Sequence, residues 1–576
     1  MRVSIVKSSN AESFYIIESV WEGGKRTTRV VEKLGTRKEL EKKLDGQDVL
    51  VWAKAYAKEL TAKRKAGIHE SVVRFSNSRF LPLNEPQRLH GGYLFLQSLY
   101  HQLRLDDLCN QIRERYKFEY DLDSILSRLL YTRILSPSSK RASCEISRHY
   151  LEPPHFEPHH VYRALDVLAE ENDWIQAELY KNSLRLADRN TKILYYDCTN
   201  YFFEINMASD DKQYGPSKQH QPRPLVQMGL FLDGSGLPLA FTLTPGNQNE
   251  QRTLRPLEER ILHDFSLSKF IVCTDAGLAS KANRRFNNIG DRAYVTTQSI
   301  KKLKQDLQAW ALSPSGWQLS GDSTDKRYNL DKLKEKENDQ RLFYKMQAIT
   351  DGKLEEFLLV TFSPKYQSYQ RTIREQQIQR AIKKLDNKAS LKKKRPNDPA
   401  RFIAAIHHTD DREVADHTMY LLDEKVIADE ERFDGFYAVC TNLEGNPEDI
   451  IRINRGRWEI EQAFRTLKTE FRARPVHLSN KKRILAHFTT CFIALLIYRL
   501  LESRVNLQQQ EKITGPALLS TLKDMDFLKL KNGDYVPAYT RTTITDALHD
   551  TFGFRTDTEL VSKKCLRNVI MKTKRQ

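Results

Sequence analysis

Closely spaced cysteines, long apolar runs and a complete phosphate-binding loop are all missing from this sequence of 576 residues. Its seven cysteines include no C-x-x-C pair, so neither a disulfide framework nor a thiolate zinc site is indicated. The longest apolar run, residues 491–501, is far shorter than the roughly 20 residues that span a bilayer, and it predicts a buried core helix. The first residues contain no apolar segment typical of a signal peptide. These absences favour a cytoplasmic protein with reduced thiols and no membrane partner.

Positive charge, in contrast, is abundant. Lys and Arg total 93 against 75 Asp and Glu, which gives a formal net charge of +18. Hydrophobic residues at 40% and aromatic residues at 10% indicate packed globular structure rather than disorder. A large globular protein with this charge balance is expected to have a polyanionic partner, most often nucleic acid.

The residue pattern changes along the chain and predicts six successive regions. They are an N-terminal β-rich segment with a charged helix (1–66), an all-α domain (85–190), a strand-rich core (191–300), a polar, lysine-rich insertion of mixed strand and helix (301–430), a return to the core (431–510) and a C-terminal region (511–576). Alternation of strand-like and helical patterns within the two core regions predicts the α/β class.

Two strand-like segments each carry one aspartate. Asp197 interrupts the apolar run KILYYDCTNYFFE, and Asp275 follows the run FIVCT. Burying an ionised carboxylate is costly unless it is paired or binds a metal, so both positions are candidate site residues. Asp275 also has a simpler interpretation as a turn or cap residue before a helix.

The segment NRGRWEIEQAFRTLK, residues 454–468, predicts one amphipathic helix. Its apolar stripe continues past this segment and consists of Ile460, Phe464, Leu467 and Phe471. A second, polar stripe contains Arg457, Glu461 and Lys468, which fall within about 40° of one another around the helix. A surface ion pair between Arg457 and Glu461 would explain this stripe without any function. The alternative is that Glu461 is directed at a site.

Taken together, these motifs resemble the DDE catalytic core of bacterial insertion-sequence transposases, which belong to the RNase H-like superfamily. The pattern N-x2-R-x3-E-x6-K, formed by Asn454, Arg457, Glu461 and Lys468, is similar to the family signature Y-x2-R-x3-E-x6-K, with asparagine in place of tyrosine. Further segments follow in the family's order, namely YYDCTNYFFE, PGNQNEQRTL, CTDAGLAS and FDGFYAVCTN. The resemblance covers about 190–510 and implies an RNase H-like catalytic core, interrupted by a mixed insertion domain and preceded by a small β-rich segment and an all-α domain.

The resemblance also implies the residues of the active site. Its catalytic and metal-binding triad would be Asp197, Asp275 and Glu461. Such a triad holds two Mg²⁺ ions, for which Mn²⁺ can substitute, roughly 3.5–4 Å apart, and oxygen ligands suit these hard cations. Arg457 and Lys468 would bind DNA phosphates as charge-assisted donors, and Asn454 would occupy the DNA-binding position of the signature tyrosine without its ring.

By the same resemblance the protein would be a DNA transposase. It would bind the terminal inverted repeats of its element through the helical region 85–190, cleave the strands and join them to target double-stranded DNA. A homodimer that pairs two ends, in a bacterial cytoplasm and associated with the nucleoid, is expected. Two alternatives stay open: a catalytically decayed or repurposed DNA-binding protein, and a nuclease of the same fold without strand transfer.

Three further residues allow two interpretations each. Trp310 and Trp317 in the insertion are either members of a hydrophobic cluster or platforms for a displaced base, as relatives use an aromatic residue. His487 is either a packed core residue or a DNA-facing one. We favour the core interpretation for all three.

Overall fold

A computed structural model describes most of the chain and divides it into two compact units. One unit comprises Met1–Glu85 with Lys529–Asp534, and the other Pro86–Leu528 with Tyr535–Gln576. The described residues are all but 9–10, 23–24, 45, 66–72, 74–75, 79, 84, 218–221, 323, 325, 335–338, 386–396, 409–416 and 576.

The smaller unit combines a three-stranded antiparallel sheet with two helices. Its elements are β1 (Arg2–Lys7), β2 (Glu12–Glu22), β3 (Lys25–Thr36), α1 (Arg37–Lys43) and α2 (Val49–Lys65). The strands lie in the order β1-β2-β3. Phe14, Leu40, Val49 and Ala53 form its core, so one face of the sheet is buried against the two helices.

The larger unit is built on a mixed sheet of nine strands. The strands of this unit are β4 (Arg88–His90), β5 (Ile193–Phe202), β6 (Leu225–Asp233), β7 (Pro238–Pro245), β8 (Ile271–Thr274), β9 (Ala293–Gln298), β10 (Gln318–Leu319), β11 (Phe343–Asp351), β12 (Leu354–Phe362), β13 (Ile403–His408), β14 (His417–Leu422), β15 (Phe436–Thr441), β16 (Asp526–Lys529) and β17 (Tyr535–Pro537). The large sheet has the order β10-β11-β12-β15-β9-β8-β5-β6-β7. In its described part, β5 pairs in parallel with β8 and β8 with β9, and the other neighbouring strands pair antiparallel.

Helices cover this sheet and form much of the core. They are α3 (Tyr93–Gln102), α4 (Leu105–Tyr116), α5 (Leu122–Leu135), α6 (Lys140–Ser147), α7 (Pro158–Glu170), α8 (Asn172–Ser183), α9 (Gln251–Asp264), α10 (Lys281–Phe286), α11 (Gln305–Leu312), α12 (Pro364–Leu385), α13 (Glu424–Glu431), α14 (Pro447–Arg455), α15 (Trp458–Thr469), α16 (Lys481–Asn506), α17 (Gly515–Asp524), α18 (Thr543–Phe552) and α19 (Lys563–Thr573). The combination of a large mixed sheet with many helices confirms the predicted α/β class.

Helix α16 is the centre of the largest hydrophobic core. It contacts α3, α5, α7, α8, α15, α17, α18 and β7, and its apolar side chains point in all directions around the helix. A helix that is apolar all round is stable only when it is surrounded. By length and composition α16 is the one described helix that could cross a membrane, yet 94% of its most apolar window is buried. The prediction of a buried core helix at 491–501 is therefore confirmed.

The segment between β9 and β15 extends the sheet by three strands, because β12 pairs with β15 and carries β11 and β10 beyond it. Trp317 is fully buried there against Phe362 and Phe436, and its indole Nε1 donates a hydrogen bond to the Ser313 carbonyl. Trp310 is partly buried in the same cluster. The core interpretation of both tryptophans is confirmed.

Candidate active site

Asp197 lies within β5, and Asp275 directly follows β8, the parallel strand that pairs with β5. The pairing of β5 with β8 ends at Tyr195 opposite Cys273, and each aspartate lies two residues further along the chain. Side chains alternate between faces with a period of two, so Asp197 lies on the face of β5 that carries Tyr195, whereas Asp275 lies in the turn that directly follows β8. Cys273 Sγ lies 4.0 Å from the carbonyl oxygen of Ile453, which shows that this face is covered by α14.

The helix predicted for 454–468 is two helices, and that prediction is wrong. α14 ends at Arg455, α15 begins at Trp458, and Gly456 and Arg457 form the turn between them. A Cβ atom at Gly456 would lie 2.0 Å from Tyr195 Oη, so this turn approaches β5 more closely than any side chain allows. The apolar stripe of α15 is buried as predicted at Ile460, Phe464 and Leu467, and Phe471 is also buried but follows the end of this helix.

Arg457 extends from that turn toward the two aspartates. Its Nη1 donates hydrogen bonds to Thr297 Oγ1 at 2.8 Å and to Tyr437 Oη at 3.3 Å. Burial alone would lower the pKa of Arg457, yet the net direction is upward. The groups that raise the pKa include first Tyr437 and also the carboxylates of Asp275 and Asp197. A fixed guanidinium therefore acts electrostatically on both acids.

Lys468, at the other end of the polar stripe, contacts β5, the strand that carries Asp197. Its Nζ donates a hydrogen bond to Thr199 Oγ1, two residues from Asp197 on the same face of β5. Glu461 lies on α15 between Arg457 and Lys468 and is exposed. Within the described part of the chain Glu461 forms no ion pair with Arg457, so the surface ion pair considered from the sequence does not occur.

Both aspartates already accept backbone hydrogen bonds. Asp197 Oδ1 accepts one from the amide of Cys198 at 2.7 Å. Asp275 Oδ1 accepts two, from the amides of Gly277 at 2.9 Å and Leu278 at 3.2 Å. The turn interpretation of Asp275 is therefore correct in part, although the turn precedes α10 by several residues and does not cap it.

Carboxylate oxygens are the donors that a hard divalent cation prefers, so the residue types fit such an ion. The structure places Asp197 and Asp275 on and directly after two neighbouring parallel strands, and it places Glu461 on α15, which contacts β5. No three acidic, histidine or cysteine side chains lie close enough to form a ready-made metal site among the residues described. Asp197 and Asp275 therefore lie on and next to neighbouring strands, whereas Glu461 does not form a cluster with them among the residues described.

Asn454 lines a cavity of about 400 Å³ beside this site. Its Oδ1 is buried, and the described residues offer it no hydrogen-bond partner. Tyr437, whose hydroxyl accepts a hydrogen bond from Arg457, lines the same cavity. Most of the remaining wall is apolar and includes Leu342, Leu359, Val439 and Ile451. Because the side chain of Asn454 is short, the cavity remains open next to Tyr437, the residue that accepts a hydrogen bond from Arg457.

Three hydroxyl residues of the site escaped the sequence analysis. Thr199 could have been found, because it follows Asp197 by two residues and so shares its face. Thr297 and Tyr437 lie on β9 and β15, and their meeting with Arg457 depends on the order of strands in the sheet. No local pattern in the sequence specifies that order.

The family described as Transposase DDE domain matches residues 200–497, which is more than half of the chain. The match begins just after Asp197 and includes Asp275 and Glu461. No curated protein is significantly similar in sequence. Among solved structures, a piggyBac transposase synaptic complex with hairpin DNA has 8% identity and a TM-score of 0.35 over 84% of each chain. A Mos1 transposase paired-end complex with the left transposon end has 15% identity and a TM-score of 0.13 over 44% of this chain and 68% of that one.

Proposed function

The chain belongs to the family of transposase DDE domains, and from that premise we propose that it is a DNA transposase of an insertion sequence. It would bind the terminal inverted repeats of its element and catalyse metal-dependent strand cleavage and strand transfer. The observation that carries this proposal is the position of Asp197 on β5 and of Asp275 directly after the neighbouring parallel strand β8, with the Arg457 guanidinium close enough to interact electrostatically with both. The antiparallel β5-β6-β7 next to the parallel β8 and β9 supports an RNase H-like core.

The proposed metal ligands are Asp197, Asp275 and Glu461, holding two Mg²⁺ or Mn²⁺ ions. When bound, such a pair supplies Lewis-acid activation of the attacking oxygen and stabilisation of the leaving oxygen. The two aspartates provide the fixed part of this set, since backbone amides hold one oxygen of each. Glu461 provides the adjustable part, because its exposed side chain on α15 is free of the Arg457 ion pair in the described structure.

Arg457 and Lys468 are the proposed phosphate contacts near the cleaved strand. Hydroxyls at Thr297 and Tyr437 already hold the Arg457 guanidinium, so little conformational entropy is lost when it binds an anion. Charge-assisted hydrogen bonds from such groups are stronger than neutral ones. Asn454 keeps the DNA-binding assignment of the signature position, next to the cavity that it lines.

The proposed partners are element ends and target, both double-stranded DNA, bound by a homodimer in the bacterial cytoplasm at the nucleoid. The net charge of +18 supports a polyanionic partner. The helical region 85–190 is proposed to contact the ends. Binding that rests on phosphate contacts weakens steeply with salt, which a titration would reveal.

Isosteric variants test the triad. Asp197→Asn, Asp275→Asn and Glu461→Gln remove one negative charge each, and the new amide in Asp275→Asn would still offer a side-chain oxygen to the backbone amides of Gly277 and Leu278. Because one preorganised electrostatic contact is worth about 10²–10³ in rate, we expect each variant to lose at least about 100-fold in strand cleavage. DNA binding should persist.

The substrate is a duplex that carries the inverted repeats flanking the gene, assayed with Mg²⁺ and a supercoiled target plasmid. The matched control is Glu459→Gln on the same helix, whose carboxylate pairs with Arg499 at 3.4 Å instead of facing the sheet edge; it should cleave at the wild-type rate. Wild-type cleavage by any triad variant would contradict the assignment. Binding without cleavage by the unaltered protein would identify a decayed transposase, and cleavage without joining would identify a nuclease.

A further inference from the structure

A second cavity, of about 380 Å³, lies where the end of α5 and the start of α6 meet the segment that follows α15. Five of its lining side chains are basic, namely Arg133, Lys140, Arg472, Arg474 and His477, whereas burial first and the charges of Arg133 and Lys140 next hold the pKa of the lining His487 well below its ordinary value. None of the described residues that line it is acidic. A partly open cavity with basic walls and no carboxylate among its described lining residues is suited to an anion, because buried charges otherwise require partners.

Lys140 provides the first of two independent signs of a missing ligand. The residue is only 6% exposed, and none of the described groups accepts a hydrogen bond from its Nζ. Burial first, and the neighbouring charge of Arg133 second, lower the pKa of Lys140 to about 7. A buried lysine without an anionic partner is unfavourable in its charged form, and a bound anion would favour that form.

Arg133 provides the second sign. It is 5% exposed, and it donates hydrogen bonds to the carbonyl oxygens of Phe471 at 3.0 Å and Ser138 at 3.3 Å. Its Nε is buried and has no partner in the described structure. No carboxylate pairs with Arg133, or with Arg474 at the side of the cavity, among the described ion pairs. Two buried cations thus have unused hydrogen-bonding capacity.

Backbone polarity adds to the same effect. Lys140 is the first residue of α6, a helix of eight residues with Ser139 as its N-cap. The N-terminal end of a helix carries partial positive charge and unsatisfied amides, which favour anions. Ser138 and Ser139 line the cavity at this end. The N-terminal end of α6 and the cations therefore border the same cavity.

The cavity lies further along the strand that carries Asp197. Val476, one of its lining residues, donates its amide hydrogen to the Phe202 carbonyl at 3.2 Å and bridges Phe203. Phe203 is six residues beyond Asp197, which corresponds to about 20 Å along an extended strand. At 3.4 Å per base pair this is a span of about six base pairs. The exposed Arg472 and His477 lie at the solvent side of the cavity.

We infer that this cavity is a binding site for a phosphate group, with Lys140 and Arg133 at its base. The distance to Asp197 favours a backbone phosphate of the bound DNA end as the source, and this part of the inference rests on the proposed function. Free inorganic phosphate has the same chemistry and is the other source. Two experimental arms on the full-length protein separate them.

The first arm measures inorganic phosphate binding to the DNA-free protein by calorimetry. Lys140→Met keeps the length of the side chain and removes its charge, so we expect at least a tenfold loss of affinity. Lys564→Met, the same change at an exposed position of α19, should bind as the wild type does. If Lys140→Met does not fold, the same measurements are made on Arg474→Gln. Arg474 forms no hydrogen bond or ion pair in the described structure, so its replacement removes no such contact within the protein.

The second arm measures DNA binding against salt concentration. If a DNA phosphate occupies the cavity, the slope of log K against log salt should fall by about 0.9 in Lys140→Met, the value for one phosphate contact. An unchanged slope together with lost inorganic phosphate binding would identify free phosphate as the ligand. If the wild type binds no inorganic phosphate and the slope is unchanged, the inference is overturned. Triad variants that lose cleavage should keep both readouts, so failure of the proposed function is distinguishable from failure of this site.

Discussion

Replacing Lys140 by methionine should stabilise the protein near neutral pH while it removes the proposed ligand contact. Its pKa falls from an ordinary 10.5 to about 7 because of burial and the charge of Arg133. Each pKa unit corresponds to about 1.4 kcal/mol, so the folded state carries an upper limit of about 5 kcal/mol of unfavourable free energy. That is comparable with the whole stability of many domains, about 5–15 kcal/mol.

The sign of the pH dependence follows from the two pKa values. Below pH 7 the lysine is protonated in both states, and the folded state carries the full penalty. Between pH 7 and 10.5 the unfolded chain keeps a proton that the folded chain has lost, so the free energy of unfolding rises by about 1.4 kcal/mol per pH unit. Above pH 10.5 the penalty is gone. The charged and titratable groups that face Lys140 are Arg133 on α5, Cys144 on α6, His487 and Cys491 on α16, and Arg474 and His477 after α15.

Thermal unfolding of the wild type, Lys140→Met and Lys564→Met from pH 6 to pH 10 measures this effect. We expect Lys140→Met to melt about 5 °C above the wild type at pH 6, and the difference to shrink toward pH 10. Added phosphate should narrow the difference at pH 6, since it stabilises only a protein that binds it. Lys564→Met should follow the wild type throughout. A difference independent of pH, or a methionine variant less stable than the wild type at pH 6, would refute the buried, unpartnered charge.

Two further substitutions test the turn and the cavity beside the proposed active site. Gly456→Ala would place a Cβ atom 2.0 Å from Tyr195 Oη, so it should lower the free energy of unfolding by about 1–3 kcal/mol. In a double-mutant cycle, adding Tyr195→Phe should recover part of this loss, and full additivity of the two changes would argue against the contact. Asn454→Leu removes a buried oxygen without a described hydrogen-bond partner and fills apolar space, so it should raise the melting temperature by the equivalent of about 1–2 kcal/mol. A lower melting temperature would show that Asn454 Oδ1 accepts a hydrogen bond in the folded protein.

Features with a local periodic signal were predictable from the sequence. The apolar pattern of 491–501, interrupted only by Arg499, indicated a buried helix because such a surface is stable only when it is covered on all sides. The apolar stripe of α15 followed from the spacing of Ile460, Phe464 and Leu467, all of which are buried. Asp197 and Asp275 were conspicuous as single acids in apolar strand patterns. These signals depend on neighbours within a few residues.

Features that depend on contacts distant in sequence were not predictable. The turn at Gly456 breaks an otherwise continuous helical pattern because the chain there approaches Tyr195, more than 250 residues earlier. The acceptors of Arg457 lie on β9 and β15, which become neighbours only through the order of the nine-stranded sheet. The basic cavity joins Arg133 and Lys140 to a segment that follows α15. Each of these long-range contacts depends on the complete fold.

The contacts of β5 bear directly on the assignment of Glu461, which is exposed and outside any described cluster of acids. Tyr195 meets the turn before α15 at Gly456, and Thr199 meets Lys468 near the other end of that helix. Asp197 lies between the two contacts on the strand, on the same face, and Glu461 lies between them on the helix. The two acids therefore belong to facing stretches bounded by the same pair of contacts. This placement agrees with the proposal that Glu461 is the third metal ligand.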